Sequence, residues 1–425
     1  MSLSIPLFTD GTPEFDAVVA RLEQRGSSDL EAVTPAVQAI IARVRREGDA
    51  GVRACIQAFE KRSVGPLVRR DFDGEAALRR LDPPLREALQ IAAQRIDRYH
   101  QRQRMEGFVY EEEGVLLGMK VRPLARVGVY APGGKARYPS SVLMTAIPAR
   151  VAGVKDIVLA TPDPDDRLLA AAHLAGVRSI LDAGGAQAIA ALAYGTPTIR
   201  PVQKIFGPGN AYVVEAKRQV FGQVAIDLLP GPSEILVLAD ASANPAWIAA
   251  DLLAQAEHGK GSSILFVTNS AKLLKAVERE IATQLTTLRR QEHLAGVIDH
   301  DCALILVKSL KDAVSIANDF APEHISIVTK DDDTIAAQIH TAGAIFLGGY
   351  SPVAAGDFLA GPSHTLPTGG AGKSFSGLTV DMFQRRTSLI RLDARALKKS
   401  VPTIAKFSAI EGLDAHGRSA AIRFE

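Results

Sequence analysis

Amide, imidazole and carboxylate side chains suited to a metal-assisted site recur in the second half of this chain, at Gln255, His258, Glu323, His324, Asp357 and His416. Gln255-Ala-Glu-His258-Gly259 closes a helical stretch that begins at Pro245. Residues three apart on a helix share a face, so Gln255 and His258 can reach one small ligand. Gly259 suits the position just past a helix end, which sets the pair beside a loop. Imidazole nitrogen binds zinc and several other divalent ions, and an amide oxygen is a weaker ligand. The alternative is a capping histidine next to a surface glutamine.

Asp319-Phe-Ala-Pro-Glu323-His324 joins a predicted helix to a predicted strand, where rigid elements aim side chains. Glu and His side by side form an acid–base pair, because burial can bring both pKa values toward neutrality. Neighbours on a strand point to opposite faces, so the pair needs the irregular backbone that Pro322 supplies. A solvated helix end is the other reading. Gly348 to Asp357 and Gly361-Pro-Ser-His364 form a long glycine- and proline-rich loop after the last predicted strand. Asp357 offers a hard oxygen ligand and His364 a proton-transfer group, although a loop aspartate is ordinarily a turn former. In the tail, Glu411-Gly-Leu-Asp-Ala-His416 adds a carboxylate and an imidazole, on a segment where a histidine is more often inert.

Two glycine turns, Ala131-Pro-Gly-Gly-Lys135 and Phe206-Gly-Pro-Gly-Asn210, each follow a strand and precede a helix. Backbone N–H groups and a helix N-terminus accept phosphate at such places. Neither turn is a GxGxxG fingerprint, and a purely structural turn serves either one equally well. Leu229-Pro-Gly-Pro-Ser-Glu234 links two units and is expected to border a ligand cleft.

The elements that must position these groups follow from periodicity. Residues 1 to 120 read as helical, with three- and four-residue apolar spacing over 31–60 and 74–104. From Arg126 short β-branched runs alternate with helices. Strands are predicted at 127–130, 156–160, 179–183 and 204–206, and a second set at 235–238, 263–267, 303–307, 325–328 and 344–347. Alternation of this kind predicts parallel sheets covered on both faces. The fold class is therefore α/β: two Rossmann-like parallel-sheet domains in tandem, one inserted in the other. The expected boundaries are an N-terminal arm over 1–25, a metal and catalytic domain from 26–125 plus 234–380, a second α/β domain over 126–233, and a C-terminal arm over 381–425. The tail from Asp381 carries nine Lys or Arg against five Asp or Glu and is too thin to fold alone. An arm packed on another subunit is expected, with a mobile tail as the alternative.

Composition narrows the class further. The chain has 425 residues, 47% hydrophobic and 23% charged, with a formal net charge of +2. Such a balance gives no overall field for nucleic acid or an acidic membrane surface. No apolar run reaches the roughly 18 residues of a membrane span. Cys55 and Cys302 both sit among apolar residues and read as buried thiols, so a cytoplasmic location is expected.

Taken in order, these segments resemble histidinol dehydrogenase. The similarity is carried by Val127-Gly-Val-Tyr-Ala-Pro-Gly-Gly134, Gly207-Pro-Gly-Asn210, Gly231-Pro-Ser-Glu234, Gln255-Ala-Glu-His258, Ala321-Pro-Glu-His324, Gly356-Asp357, Gly361-Pro-Ser-His364 and Glu411 to His416. The resemblance implies oxidation of L-histidinol to L-histidine through L-histidinaldehyde, the last step of histidine biosynthesis, with two NAD⁺ and one zinc ion per subunit. It implies Gln255, His258, Asp357 and His416 as metal ligands and Glu323 and His324 as the acid–base pair. Ser233, His364 and Glu411, with Gln255, His258, His324, Asp357 and His416, match substrate-binding positions; Tyr130, Gln187 and Asn210 match NAD positions. It also implies a homodimer whose C-terminal arms cross, so that Glu411 and His416 complete the partner's site. Two other readings of the same residues are a zinc hydrolase with Glu323 as base and a related NAD-dependent amino-alcohol dehydrogenase with a shifted substrate.

Overall fold

The computed structural model describes residues 5–15, 17–18, 28–133 and 137–425. Gly134 and Lys135 of the first glycine turn, and much of the expected N-terminal arm, lie outside them. The first sheet contains β2 (Val68–Arg69), β5 (Arg126–Tyr130), β6 (Asp156–Ala160), β7 (Ser179–Leu181), β8 (Lys204–Phe206) and β9 (Ala225–Ile226), in the order β2-β7-β6-β5-β8-β9. All its pairs are parallel except β2 with β7. The second sheet, entirely parallel, contains β1 (Leu7–Thr9), β10 (Glu234–Ala239), β11 (Ser263–Thr268), β12 (Cys302–Leu306), β13 (His324–Val328) and β14 (Ala344–Leu347). Its order is β1-β12-β11-β10-β13-β14. In each sheet the strand order reverses once, between β5 and β8 and between β10 and β13, which are the crevice positions of open α/β sheets.

Strands buried on both faces read as apolar runs, and all six residues of both β10 and β11 are buried. Alternate residues of the first sheet feed separate cores. Val127, Val129, Ile157 and Leu159 pack with α5 (Pro139–Val151) and α6 (Asp166–Ala175). Tyr130, Val158, Ala160 and Leu181 pack with α7 (Gly185–Tyr194) and α8 (Ala211–Val220) on the opposite face. Helix starts follow side-chain capping: Asn210 accepts from the Tyr212 and Val213 N–H groups at α8. Asn244 accepts from Ala246 N–H at α9 (Pro245–Ala256), where proline fills the first turn.

Three expectations need correcting. The helical N-terminal part packs on the first sheet, not the second. Helix α1 (Ser28–Glu47) lies on α7 and α8, α3 (Gly74–Arg80) on α6, and α4 (Pro83–Gln101) on α5. Their apolar stripes, including Val37, Ile41 and Val44 on one side and Leu89, Ala93 and Ile96 on the other, enter the two cores of that sheet. A short α2 (Asp49–Cys55) and a single π turn (Ile56–Glu60) follow α1. Second, residues 108–123 are not helical: β3 (Phe108–Glu112) and β4 (Val115–Pro123) form a hairpin, with Gly114 at φ +81 in its turn. Third, against the alternative of a mobile tail, the chain forms β15 (Gln384–Leu392), α15 (Ala394–Glu411) and α16 (Asp414–Ala421), and β15 pairs antiparallel with β4 along nine residues. Partners distant in sequence stabilise both segments, which neither segment's own pattern reveals.

The tail is also anchored to the first sheet. Phe383, just before β15, stacks on Phe206 with centroids 3.8 Å apart, and both rings are fully buried. Phe383→Ala should destabilise the fold by about 3–5 kcal/mol, the usual range for deleting a core aromatic. Urea unfolding measures this, and a loss below about 1 kcal/mol would mean that the stack carries little of the anchor.

Candidate active site

Four helices and loops converge at the amino-terminal edges of β10 and β13. Helix α12 (Leu310–Phe320) ends with Ala321 in the left-handed conformation, φ +49, so the chain turns through Pro322 before entering β13. Glu323 therefore lies outside the strand and His324 is its first residue. This irregular entry lets adjacent side chains share one site, with His324 Nδ1 3.6 Å from Glu323 Oε2 and both residues buried.

Glu234, the first residue of β10, holds the pair from the neighbouring strand. Its N–H donates to Glu323 Oε2 at 2.9 Å, and its own carboxylate accepts from Glu323 N–H at 3.3 Å and from Gly369 N–H at 2.8 Å. His324 Nδ1–H donates to the Glu234 carbonyl at 2.8 Å. A carbonyl only accepts, so this bond fixes the tautomer and leaves Nε2 unprotonated. Glu234 belongs to a motif quoted above but was assigned no role there. Its backbone and its carboxylate both hold peptide groups distant in sequence, a role that its residue type alone does not announce.

Helix α9 runs back from the carboxyl edge of the second sheet and delivers Gln255 in its last turn. His258 lies beyond the helix, in the turn that ends at Gly259 with φ +109. The shared helix face expected for the two is thus a helix end plus a turn. Helix α14 (Val353–Phe358) also returns from the carboxyl edge and brings Asp357 Oδ1 to 3.8 Å from His324 Nε2. The loop after β14 starts at that strand's carboxyl end, yet its functional residues reach the amino edge, because α14 carries them back.

His364 closes the cleft between the sheets. Its Nδ1–H donates to the Asp357 carbonyl at 3.0 Å, and the Ser141 hydroxyl on α5 lies 3.3 Å from Nε2. Ser141 stands in the first turn of α5, at the carboxyl edge of the first sheet. That edge therefore faces the amino edge of the second sheet across the site. Ser141 carried no motif signal.

The electrostatics are those of a dry pocket. Burial drives the Glu323 carboxyl well above the ordinary carboxylate range; the Glu234 N–H opposes this, while the Glu234 and Asp357 carboxylates add to it. Burial lowers His324 to about 4, partly offset by its bond to the Glu234 carbonyl, with His258 and His364 lowering it further by repulsion. Burial also raises Asp357 to about 6 and lowers His258 and His364. His324 is thus neutral at pH 7, with a free Nε2 able to accept a proton.

The donor set suits a divalent ion. Gln255 is 3% exposed, and its amide nitrogen is buried without a hydrogen-bond partner. An end-on flip of that amide would direct its oxygen to the same point. Asp357 is a half-buried carboxylate whose partner at ion-pair range among the described residues is the His324 imidazole, 3.8 Å away. An amide oxygen, an imidazole and a carboxylate fit a zinc site that lacks one ligand. Among the described residues no three His, Cys, Asp or Glu side chains are grouped to hold a metal ion.

Glu411 and His416 are not brought in. They are exposed at the end of α15 and within α16, and among the described residues neither side chain bonds to the cluster. Ser233 is half-buried before β10. The remaining candidates gather at the carboxyl edge of the first sheet. Gly185 N–H donates to the Tyr130 hydroxyl at 3.0 Å, and Gln187 Nε2 donates to Glu60 Oε1 at 3.2 Å. Glu60 also accepts from Gly184 N–H at 3.0 Å, so the π turn of the N-terminal part reaches this edge. Asn210 is exposed at the neighbouring turn, with its side-chain oxygen engaged at the start of α8. The two thiols lie elsewhere: Cys55 and Cys302 are buried and free, and burial pushes Cys302 up to about 12.

A family model described as histidinol dehydrogenase matches residues 23–424. The histidinol dehydrogenase of Syntrophotalea carbinolica is 49% identical over 356 residues, 83% of each chain. That of Rhodopseudomonas palustris is 45% identical over 421 residues, 97% of each. The crystal structure of histidinol dehydrogenase from Elizabethkingia anophelis superposes with a TM-score of 0.92 at 33% identity, covering 99% of this chain and 98% of that one. An acetylating aldehyde dehydrogenase from Geobacillus thermoglucosidasius, 14% identical with a TM-score of 0.51 over 88% of this chain and 94% of its own, shares the fold alone.

Proposed function

This chain belongs to the histidinol dehydrogenase family and is an NAD-dependent oxidoreductase acting on histidinol, and from that premise we propose which of its residues bind, which react, and what its partner supplies. Gln255, His258 and Asp357, with His416 of a second copy, would hold one zinc ion. Bound zinc would act as a Lewis acid and fix the amino alcohol by its amino and ring nitrogens. His364 and Ser233 border the substrate, and Tyr130, Gln187 and Asn210 border NAD.

The observation that carries this reading is the bond from His324 Nδ1–H to the Glu234 carbonyl, which leaves Nε2 facing Asp357 while Glu323 stands beside the ring. In the first half-reaction His324 Nε2 takes the hydroxyl proton as the carbinol hydride leaves to NAD⁺, giving L-histidinaldehyde. In the second, Glu323 takes a proton from water as that water adds to the aldehyde. The hydrate then gives a second hydride to a second NAD⁺ and becomes L-histidine. Burial of the pair keeps bulk water from the aldehyde between the steps. A thiohemiacetal route has no nucleophile here, since both thiols are buried away from the cleft.

The dimer is supported by an apolar surface on the tail. Phe407, Ile410, Leu413 and Ile422 are exposed around Glu411 and His416, and Phe108, Val109, Tyr110 and Ile390 are exposed on the antiparallel sheet. A surface of that extent is expected to be covered by another protein chain. No described helix is long and apolar enough to cross a membrane. The two free buried thiols suit a cytoplasmic setting.

The direct test is NADH formation from L-histidinol. Two NADH per histidinol are expected, with a loss of about 100-fold or more on chelation, since a Lewis acid contributes several kcal/mol to such a step. Return of zinc should restore the rate. Full activity in chelated, metal-free protein would exclude the zinc assignment.

A further inference from the structure

We infer that Lys217 and Asp227 are positioning residues for the cofactor: a buried ion pair that clamps Gly207 and so sets the turn leading to Asn210. Both side chains are completely buried and in direct contact. The same two groups also take up both backbone polar groups of one glycine. Gly207 N–H donates to Asp227 Oδ2 at 2.7 Å, and Lys217 Nζ donates to the Gly207 carbonyl at 3.0 Å. Asp227 is itself tied to the sheet, its N–H donating to the Ile205 carbonyl at 3.1 Å. Lys217 projects from α8, the helix that the turn opens.

Gly207 has φ +114, and a Cβ there would meet the Tyr130 carbonyl oxygen at 2.2 Å. The clamped residue is thus pressed against the backbone of Tyr130, at the point where the strand order reverses between β5 and β8. Clamping it fixes two of the proposed cofactor residues relative to each other, Tyr130 on one side and Asn210 three residues on. Stability alone is a poor reason for this arrangement. A buried ion pair is often no more stabilising than an apolar replacement of similar size, because desolvation offsets the attraction. What the charges supply here is a fixed direction for two peptide groups that no helix or strand satisfies.

The inference rests on the reading of Tyr130 and Asn210 as NAD residues, and the experiment separates the two. Lys217→Met/Asp227→Asn removes both charges together, so neither is left buried alone. The expected result is an NAD KM raised about tenfold or more, with the KM for histidinol and the zinc content at parental values. Asp227→Glu keeps the pair but shifts the acceptor by one methylene, and is expected to raise the NAD KM several-fold in a chain that still folds. Direct titration with NADH should weaken in parallel. Parental NAD KM and NADH affinity in either folded variant would overturn the clamp, as would an equal rise in the KM for histidinol. Asn210→Ala is the control for the underlying site. If it weakens NADH binding and the clamp variants do not, the clamp alone fails; if Asn210→Ala has no effect, the assignment of the cofactor turn fails.

Discussion

Glu323→Gln should lower steady-state turnover of histidinol by about 10²- to 10⁴-fold, the range of a general acid–base group, while zinc content stays at the parental level. The substitution keeps the shape of the side chain and an oxygen to accept from Glu234 N–H, a bond of 2.9 Å in the parent. What it removes is the capacity to take a proton from water. The loss should therefore fall on the second half-reaction. Rapid mixing should show a first hydride transfer close to parental rate, because His324 and its bond to the Glu234 carbonyl are untouched. Oxidation of added histidinaldehyde should be nearly abolished.

The pH behaviour gives a second readout. Burial raises Glu323 well above its ordinary range, so at lower pH its carboxyl is protonated and cannot act as a base. In the parent, aldehyde oxidation should rise with pH as that proton is lost, and this limb should disappear in Glu323→Gln. His324 is lowered to about 4 and stays neutral and competent across the whole range. Turnover within tenfold of the parent, or an unchanged pH limb, would remove Glu323 from the mechanism.

Much of the positioning of this pair was legible in the sequence, and the reasons are local. Asp156–Ala160, Lys204–Phe206 and Ala344–Leu347 coincide with their predicted bounds, because each is a short apolar run bounded by turn residues. Pro322 was expected to break the strand so that Glu323 and His324 could face one site, and the left-handed Ala321 before it does so. Long-range information was not legible. The hairpin at 108–123 is stabilised by a strand nearly 270 residues later, and its exposed face lacks the alternation of a half-buried strand. The helix α11 (Gln291–Asp301), between α10 (Ala271–Leu285) and β12, was also missed; its buried Leu294, Val297 and Ile298 are diluted by polar residues. Glu234, Ser141 and Glu60 act through backbone groups or across the cleft, so only the folded chain brings them to the site.

Mixing His416→Ala chains with Glu323→Gln chains should restore activity that neither has alone. Glu411 and His416 are exposed and five residues apart, separated by Gly412 in the left-handed conformation at φ +65. They lie on an arm whose neighbours Phe407 and Ile410 are 62% and 80% exposed. If that arm covers a second copy, each site combines one chain's His258, Asp357, Glu323 and His324 with the other chain's His416. A heterodimer then contains one site with every group intact and one lacking both. Random exchange at equal amounts makes half the dimers mixed, so about one quarter of the parental activity should return in a symmetric two-site dimer. The gain should follow the rate of subunit exchange, while zinc bound per chain stays constant, since each His416 completes one metal site before and after exchange. No recovery after exchange has been verified by mass would show that each site is completed within its own chain.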